Sequence, residues 1–261
     1  MVDPEIQTPQ VRLQALADAF HRDGFVVVPK LCPDAVCAAL LQRVEDSLQP
    51  LLAPAEFEAD VGYPGAPAHR QAEGGDTPRR LLHAYSRFDC LRPWLTGPDV
   101  KRHLLALLNA EAVCLSQCHH NCVMTKFPGY SSDTLWHQDV RYWSFQRPEL
   151  VSLWLALGEE REDNGALLVI PGSHRQAYAA EQLDEALFLR PELPANRVLI
   201  ERAITVELGR GDVLFFHCRT FHSAGRNRTR SVKLSGVFTY HDQRNQPVAG
   251  TKSAQYPSIP L

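Results

Sequence analysis

The chain lacks any hydrophobic run long enough to cross a membrane. Its apolar stretches are shorter than the roughly 18–20 residues that a membrane span requires, and its first residues carry acid before any base, unlike a signal peptide. We therefore expect a cytoplasmic protein. In that compartment its seven cysteines, an odd number, are expected to be reduced thiols rather than disulfides.

Concentrated positive charge is also missing. The formal net charge is −3, and the densest basic group, Arg226, Arg228 and Arg230, is too short to form a surface for nucleic acid. Neither nucleic acid nor a membrane is therefore expected as a partner, and the sequence leaves the oligomeric state open. The composition, 44% hydrophobic and 22% charged, is otherwise typical of a globular protein.

Helical and extended patterns alternate near the N-terminus. Apolar spacing predicts a helix that ends at Gly24, a strand over residues 25–28, and a second helix that begins after Pro33 and stops at Pro50. The stretch from about 50 to 80 is rich in proline, alanine and glycine and has no sustained periodicity. Such a stretch is either disordered or a functional lid.

From about residue 112 the pattern is that of short β-strands separated by glycine- and proline-rich turns. The predicted strands are 112–126, 151–157, 166–170, 203–208, 213–217 and 232–240. Asn164-Gly165, directly before one of these strands, predicts a hairpin. Many short strands after an N-terminal helical layer favour a β-sandwich or an open barrel backed by helices.

A short polar motif in this β-rich region is the clearest indication of chemistry. His137 and Asp139 are two residues apart, so on an extended segment both side chains leave the same face. A third ligand, either His217 or His222, would complete a set of two histidines and one carboxylate that leaves positions open on a non-haem Fe(II) ion. By itself the His-x-Asp spacing is weak evidence for a metal site, because a surface histidine beside a turn aspartate explains it equally well.

A second group of metal-binding residue types lies just upstream. Cys114, Cys118 and Cys122 are spaced by four residues, with His119 and His120 between them, so a zinc site is geometrically allowed. Structural zinc sites usually combine two separate pairs of ligands, and no second cysteine pair is present here. We therefore favour thiols that fill one face of a strand.

The segments around the His-x-Asp pair resemble, in the same order, the motifs of the phytanoyl-CoA dioxygenase family. The matching segments are 23–27, 136–143, 151–157, 163–174 and 211–217, followed by His222 and Asn227. The resemblance covers about residues 10–240 and is weakest over 50–110. It implies a mainly β structure with helices, namely the double-stranded β-helix (jelly roll) of Fe(II)/2-oxoglutarate oxygenases backed by N-terminal helices. We expect a single domain over residues 1–261, with an irregular insert or lid at about 50–80.

The resemblance also implies roles for the motif residues. His137, Asp139 and His222 match the metal ligands of the family, because His222 precedes Asn227 as the distal histidine of the family does. His217 then falls at a position that does not bind metal. Trp154 matches the aromatic residue that lines the 2-oxoglutarate pocket, although a core aromatic is an equal alternative.

Further residues are candidates for the pocket. Cys122 falls where the family has a methionine beside the co-substrate. The family usually has an arginine eleven residues after the distal histidine, where it forms a bidentate pair with the far carboxylate of 2-oxoglutarate; this chain has Lys233 there. A lysine lacks the planar fork of arginine, and we expect Lys233 to be the anchor, with Arg230 as the second candidate. Lys126 is a candidate for substrate contact, with a surface lysine as the alternative.

The implied activity is that of an Fe(II)/2-oxoglutarate-dependent dioxygenase. It would use O₂ to hydroxylate a small-molecule substrate while 2-oxoglutarate becomes succinate and CO₂. Asp139 favours hydroxylation, since related halogenases lack this carboxylate. The alternatives are a non-catalytic jelly-roll protein that binds a metal or ligand, and a cupin-like metalloenzyme that does not use 2-oxoglutarate. The sequence does not identify the substrate.

Overall fold

Helices dominate the first part of the structure. The computed structural model describes residues 8–261, so the N-terminal residues that bear on a signal peptide lie outside the described range. The α-helices are α1 (Pro9–Asp23), α2 (Asp34–Leu48), α3 (Ala84–Arg87), α4 (Arg92–Leu95), α5 (Pro98–Leu108) and α6 (Pro194–Ile200). The predicted end of α1 is confirmed at Gly24, whose φ of +85° is a conformation that glycine adopts freely. Within residues 8–261 no helix is long and apolar enough to span a bilayer.

The strands form two antiparallel sheets. They are β1 (Phe25–Val28), β2 (Ala55–Phe57), β3 (Pro78–Leu82), β4 (Val113–Lys126), β5 (Thr134–His137), β6 (Leu150–Ala156), β7 (Leu167–Val169), β8 (Ile204–Thr205), β9 (Val213–His217), β10 (His222–Ala224), β11 (Lys233–Asp242) and β12 (Ile259–Pro260). The larger sheet has the order β1-β9-β6-β11-β4-β3-β2, with β12 also paired to β4, and the smaller has the order β5-β10-β7-β8. From β4 onward the chain passes repeatedly between the sheets, which confirms the predicted jelly roll.

Alternating side chains along the strands of the larger sheet create two separate cores. In β6, Leu153 and Leu155 face outward and join an apolar core with helices α1, α2 and α5, whereas Trp154 and Ala156 face the space between the sheets. Successive strand residues must point to opposite faces, so each strand contributes to both cores. The interior between the sheets is the place where polar residues of a site would lie.

Several elements differ from the sequence predictions. Asn164-Gly165 does not form a hairpin, because β6 and β7 belong to different sheets. Gly165, with φ +81°, instead ends a 3-10 turn that leads the chain from one sheet to the other. The short polar strands β5 and β10 and the helices α3 to α6 are not predicted by the pattern, and the strand expected over 203–208 shortens to β8.

The segment from about 50 to 80 packs against both sheets. Its strands β2 and β3 extend the larger sheet beside β4. The buried guanidinium group of Arg79 donates to Glu58 Oε2 (3.1 Å), to Ser132 Oγ (2.8 Å) and to Thr134 Oγ1 (3.2 Å) on β5 of the smaller sheet. Arg79 therefore ties this segment to the strand that carries His137.

Replacing Glu58 by glutamine should lower the free energy of unfolding by about 3 kcal/mol, because the buried charge of Arg79 would lose the closer and fully buried of its two carboxylate partners, Glu58 (3.1 Å), and keep only Glu56 (3.6 Å). Urea denaturation measures this change. Glu149→Gln is the matched control, since Glu149 pairs with Arg147 at the exposed surface and its loss should leave the unfolding free energy unchanged. Equal effects of the two substitutions would show that the buried pair does not hold the segment.

Candidate metal centre

Two short strands of the smaller sheet bring distant histidines together. His137 ends β5, His222 begins β10, and the two residues are paired directly, with ring centroids 4.2 Å apart. Asp139 follows β5, and its Oδ1 lies 3.7 Å from His137 Nε2 and 3.6 Å from His222 Nε2. Ligand atoms of all three residues lie within 4.8 Å of one another. Of the two candidate distal histidines, the structure therefore brings His222 into the site.

Hydrogen bonds orient both imidazole rings for metal binding. His137 Nδ1 lies 2.8 Å from the carbonyl oxygen of Leu135, and His222 Nδ1 lies 3.0 Å from that of Thr220. A carbonyl oxygen only accepts, so we assign the hydrogen to each Nδ1, which leaves the lone pair of each Nε2 free for a cation. Burial, and next the neighbouring His222, lowers the pKa of His137 to about 3, so this imidazole is neutral as a metal ligand must be.

Both carboxylate oxygens of Asp139 are hydrogen-bonded. Oδ2 accepts from Ser152 Oγ on β6 (2.9 Å), and Oδ1 accepts from His120 Nε2 on β4 (3.0 Å). Burial raises the pKa of Asp139, but the neighbouring His120 and His222 outweigh burial and hold that pKa well below its usual range. The carboxylate is therefore ionised. Two imidazoles and one ionised carboxylate, open on one side, fit Fe(II).

His120 and Ser152 are site residues that the sequence analysis missed. Phe238 of β11 pairs with Asn121 and the following Thr239 pairs with Ser116, so residues 117–120 form a bulge in β4. Bulges redirect side chains, and this one brings His120 to Asp139. The only signal in the sequence is the His119-His120 pair, which lies between the cysteines of the candidate zinc site.

The three evenly spaced cysteines do not form that zinc site. All three are free thiols, and the Sγ of Cys118 is hydrogen-bonded to the backbone of Tyr256 instead. In the part of the chain that the structure describes, His137, Asp139 and His222 are the only group of three such ligands close enough to share one ion. Of the two interpretations of the cysteines, that of packed thiols agrees with the structure.

His217 lies outside the metal site, as the resemblance implied. Its ring packs against Phe20 and His174, with centroids 6.2 and 5.3 Å away, and its Nδ1 accepts a hydrogen bond from the backbone N–H of Arg219 (3.1 Å). Burial lowers the pKa of His217 to about 3, which is expected for a packed, neutral imidazole.

Trp154 and Lys233 meet inside the barrel. Lys233 begins β11, and its Nζ lies 5.0 Å from the centre of the Trp154 ring. Both residues donate to Glu160, Lys233 to Oε2 (3.0 Å) and Trp154 Nε1 to Oε1 (2.9 Å), and Ser235 completes the group. No pattern in the sequence indicates the role of Glu160, because that role depends on contacts between strands.

The other predicted pocket residues lie in different surroundings. Cys122 is buried in the interior core. Arg230 is exposed in the loop before β11, so it does not share the interior with Lys233.

Lys126 pairs with Lys233 across β4 and β11, is buried, and donates to the carbonyl oxygens of Ser132 and Gly225. Burial, and next the charge of Lys233, lowers the pKa of Lys126 to about 7.

A cavity of about 620 Å³ adjoins the metal centre. Tyr142, which lines this cavity, has its ring 6.1 Å from that of His137, and its hydroxyl lies 3.3 Å from the hydroxyl of Tyr63. His120 and Cys122 also line the cavity, whereas Lys126 does not. The placement of Lys126 therefore argues against the contact with substrate that the sequence analysis considered.

Residues 20–235 match the family model described as phytanoyl-CoA dioxygenase (PhyH). The chain belongs to the phytanoyl-CoA dioxygenase family. An ectoine dioxygenase from Bordetella parapertussis is 25% identical over 244 residues, which cover 87% of this chain and 74% of that protein. The peroxisomal phytanoyl-CoA dioxygenase of Homo sapiens is 25% identical over 247 residues, which cover 89% of this chain and 70% of that protein.

Solved structures support the assignment of the fold. The epimerase SnoN, in complex with Fe³⁺, alpha ketoglutarate and nogalamycin RO, superposes with a TM-score of 0.72 at 22% identity, and the match covers 97% of this chain and 96% of SnoN. At this level of identity the likeness establishes that the two chains share the jelly roll.

Substitution of His222 by alanine should weaken Fe(II) binding by at least about 100-fold, since loss of a ligand exceeds the 10–100-fold effect of losing an outer hydrogen-bond partner. Anaerobic equilibrium dialysis measures this affinity. His217→Ala is the matched control, because it removes a partly buried histidine that follows the same apolar strand and does not face the site, and Fe(II) affinity should be unchanged. The opposite ranking of the two variants would refute the assignment of the distal ligand.

Proposed function

We propose that this chain binds Fe(II) through His137, Asp139 and His222 and hydroxylates a small molecule. As a member of its family, the chain is an Fe(II)/2-oxoglutarate-dependent dioxygenase. Iron, when bound, supplies oxidative chemistry in which O₂ is consumed and 2-oxoglutarate becomes succinate and CO₂. The observation that carries the proposal is the group of two oriented imidazoles and one ionised carboxylate, with 3.6 and 3.7 Å between the carboxylate and the two Nε2 atoms.

The protein contributes mainly by fixing these ligands. Ser152 and His120 hold the two oxygens of Asp139, so the carboxylate cannot rotate away from the imidazoles. An aspartate at this position also occupies the place that halogenating relatives leave open for a halide. Asp139 therefore supports hydroxylation as the outcome.

We assign the co-substrate to the interior beside the metal ligands, with Lys233, Trp154 and Cys122 as binding residues. Support comes from their placement on the inward faces of adjoining strands. Arg230, exposed in its loop, is the weaker anchor candidate. Lys126 donates to the backbone carbonyl oxygens of Ser132 and Gly225, so we assign it to support of the loop after β10 rather than to contact with substrate.

The substrate is proposed to be a small polar molecule that binds in the cavity of about 620 Å³. This volume lies within the range typical of small-molecule sites. Arg80 and Lys252 line the cavity, and Glu56, the only acidic residue among the described residues that line it, pairs with Arg80 (3.5 Å). Basic side chains together with the flat rings of Tyr142 and Trp143 favour a substrate with anionic or acceptor groups.

We further propose that the chain acts as a single oxygenase domain in which residues 50–80 form a lid. The hydrogen bond between Tyr63 of this segment and Tyr142 beside the metal centre supports that role. A cytoplasmic location is proposed on the sequence grounds given above.

A non-catalytic jelly-roll protein that binds a metal or ligand is the second candidate. The contact that favours it is the ion pair between Lys233 and Glu160, which already satisfies the charge expected to anchor 2-oxoglutarate. The ligand set favours the enzyme, because three protein ligands leave positions open on the metal, whereas a metal site without turnover is normally closed by four protein ligands.

Anaerobic addition of Fe(II) and 2-oxoglutarate should give a visible charge-transfer band, and admission of air should yield succinate. His222→Ala should lose both signals, since one of the two imidazole ligands that the site requires is removed. Absorbance and succinate analysis provide the two readouts. If wild-type protein forms neither the band nor succinate, the non-catalytic alternative stands.

A further inference from the structure

Glu160 is a buried carboxylate for which the proposed reaction has no use. It follows β6, its side chain has no exposed surface, and its backbone is paired in both directions with Leu208 (2.8 and 3.1 Å). An ionised side chain removed from water must be paired and hydrogen-bonded. Because the backbone is fixed, Glu160 finds these partners inside the barrel.

Three donors from two adjacent strands surround this carboxylate. Ser235 Oγ lies 2.6 Å from Oε1, Trp154 Nε1 lies 2.9 Å from the same oxygen, and Lys233 Nζ lies 3.0 Å from Oε2. Each donor side chain is buried. Together they form a complete binding site for a carboxylate, and the protein fills that site with a side chain of its own.

This carboxylate site lies along the same strand face as the metal centre. Ser152 and Trp154 are two residues apart on β6, which corresponds to about 6.6 Å along a strand. Ser152 donates to Asp139, whereas Trp154 donates to Glu160. A five-carbon dicarboxylate with one end at the metal ligands therefore reaches toward these donors with its other end.

We propose that Glu160 occupies the place of the far carboxylate of 2-oxoglutarate and competes with it for Lys233, Ser235 and Trp154. This inference rests on the proposed use of 2-oxoglutarate. Two ionised carboxylates beside one ammonium group repel each other, so the co-substrate must draw Lys233 away from Glu160. Glu160 thereby weakens the binding of 2-oxo acids that carry a second carboxylate, and it does not affect those that lack one.

Glu160→Gln should tighten 2-oxoglutarate binding by at least about tenfold, the factor that corresponds to one charged hydrogen bond made available to the ligand. The dissociation constant is measured anaerobically on the Fe(II)-loaded protein from the charge-transfer band. Affinity for 2-oxopentanoate, which has the same chain length without the far carboxylate, should not change. Glu159→Gln is the matched control, since Glu159 is exposed and pairs with Arg161.

A second readout follows from stability. Without co-substrate, Glu160→Gln leaves the Lys233 ammonium without an ionised partner. The melting temperature of the variant should therefore fall below that of wild type. Added 2-oxoglutarate should raise the melting temperature of this variant by more than it raises that of wild type. If Glu160 had only a structural role, Glu160→Gln would lower the melting temperature, but 2-oxoglutarate would not raise it by more than it does in wild type.

Lys233→Arg is an independent variant in case Glu160→Gln fails to fold. Arginine offers five N–H donors in a planar fork, so it can serve Glu160 and the ligand together, and 2-oxoglutarate should again bind more tightly. Unchanged 2-oxoglutarate affinity in both variants would overturn the role of Glu160 and leave the proposed function intact. Absence of the band in wild type and in both variants would contradict the proposed function itself.

Discussion

The direct pairing of His222 with His137 is the contact on which the site depends. β5 and β10 are short, and neither would hold its histidine in place alone. Both ends of β10 are held by hydrogen bonds to other loops. Ser173 Oγ accepts from the backbone N–H of Phe221 (2.9 Å), and Ser131 Oγ accepts from that of Asn227 (2.8 Å). These two serines fix the strand, and the strand fixes His222, the proposed distal ligand.

The division of the fold into two cores allows a polar interior. Apolar packing between the outer face of the larger sheet and helices α1, α2 and α5 supplies the burial that stabilises the chain. The inner face is therefore free to carry ionised groups, provided each has partners. Asp139 and Glu160 meet that condition, each with hydrogen bonds to both carboxylate oxygens. Strand β6 thus supplies a donor to each of two buried carboxylates. Ser152 donates to Asp139 at the candidate metal centre, and Trp154 donates to Glu160 farther along the strand.

Part of this architecture is encoded locally and could be predicted. The apolar runs of β6, β9 and β11 indicate a β-sandwich or open barrel, and the spacing of His137 and Asp139 indicates two of the three proposed ligands, whereas the jelly roll itself was implied by the family resemblance. The choice of His222 over His217 needed either the family resemblance or the pairing of β10 with β5, since both histidines follow the same apolar strand. Sequence alone could not reveal the contacts of His120 and Glu160, because one depends on a bulge in β4 and the other on packing between strands.

The position of iron in crystals grown anaerobically with Fe(II) shows directly whether His137, Asp139 and His222 hold the metal. Anomalous scattering at the iron edge locates the metal without assumptions about activity. We expect one peak per chain, within bonding distance of His137 Nε2, His222 Nε2 and a carboxylate oxygen of Asp139. A peak among other residues, or none under conditions that saturate the protein, would contradict the assignment of these three residues as the metal ligands.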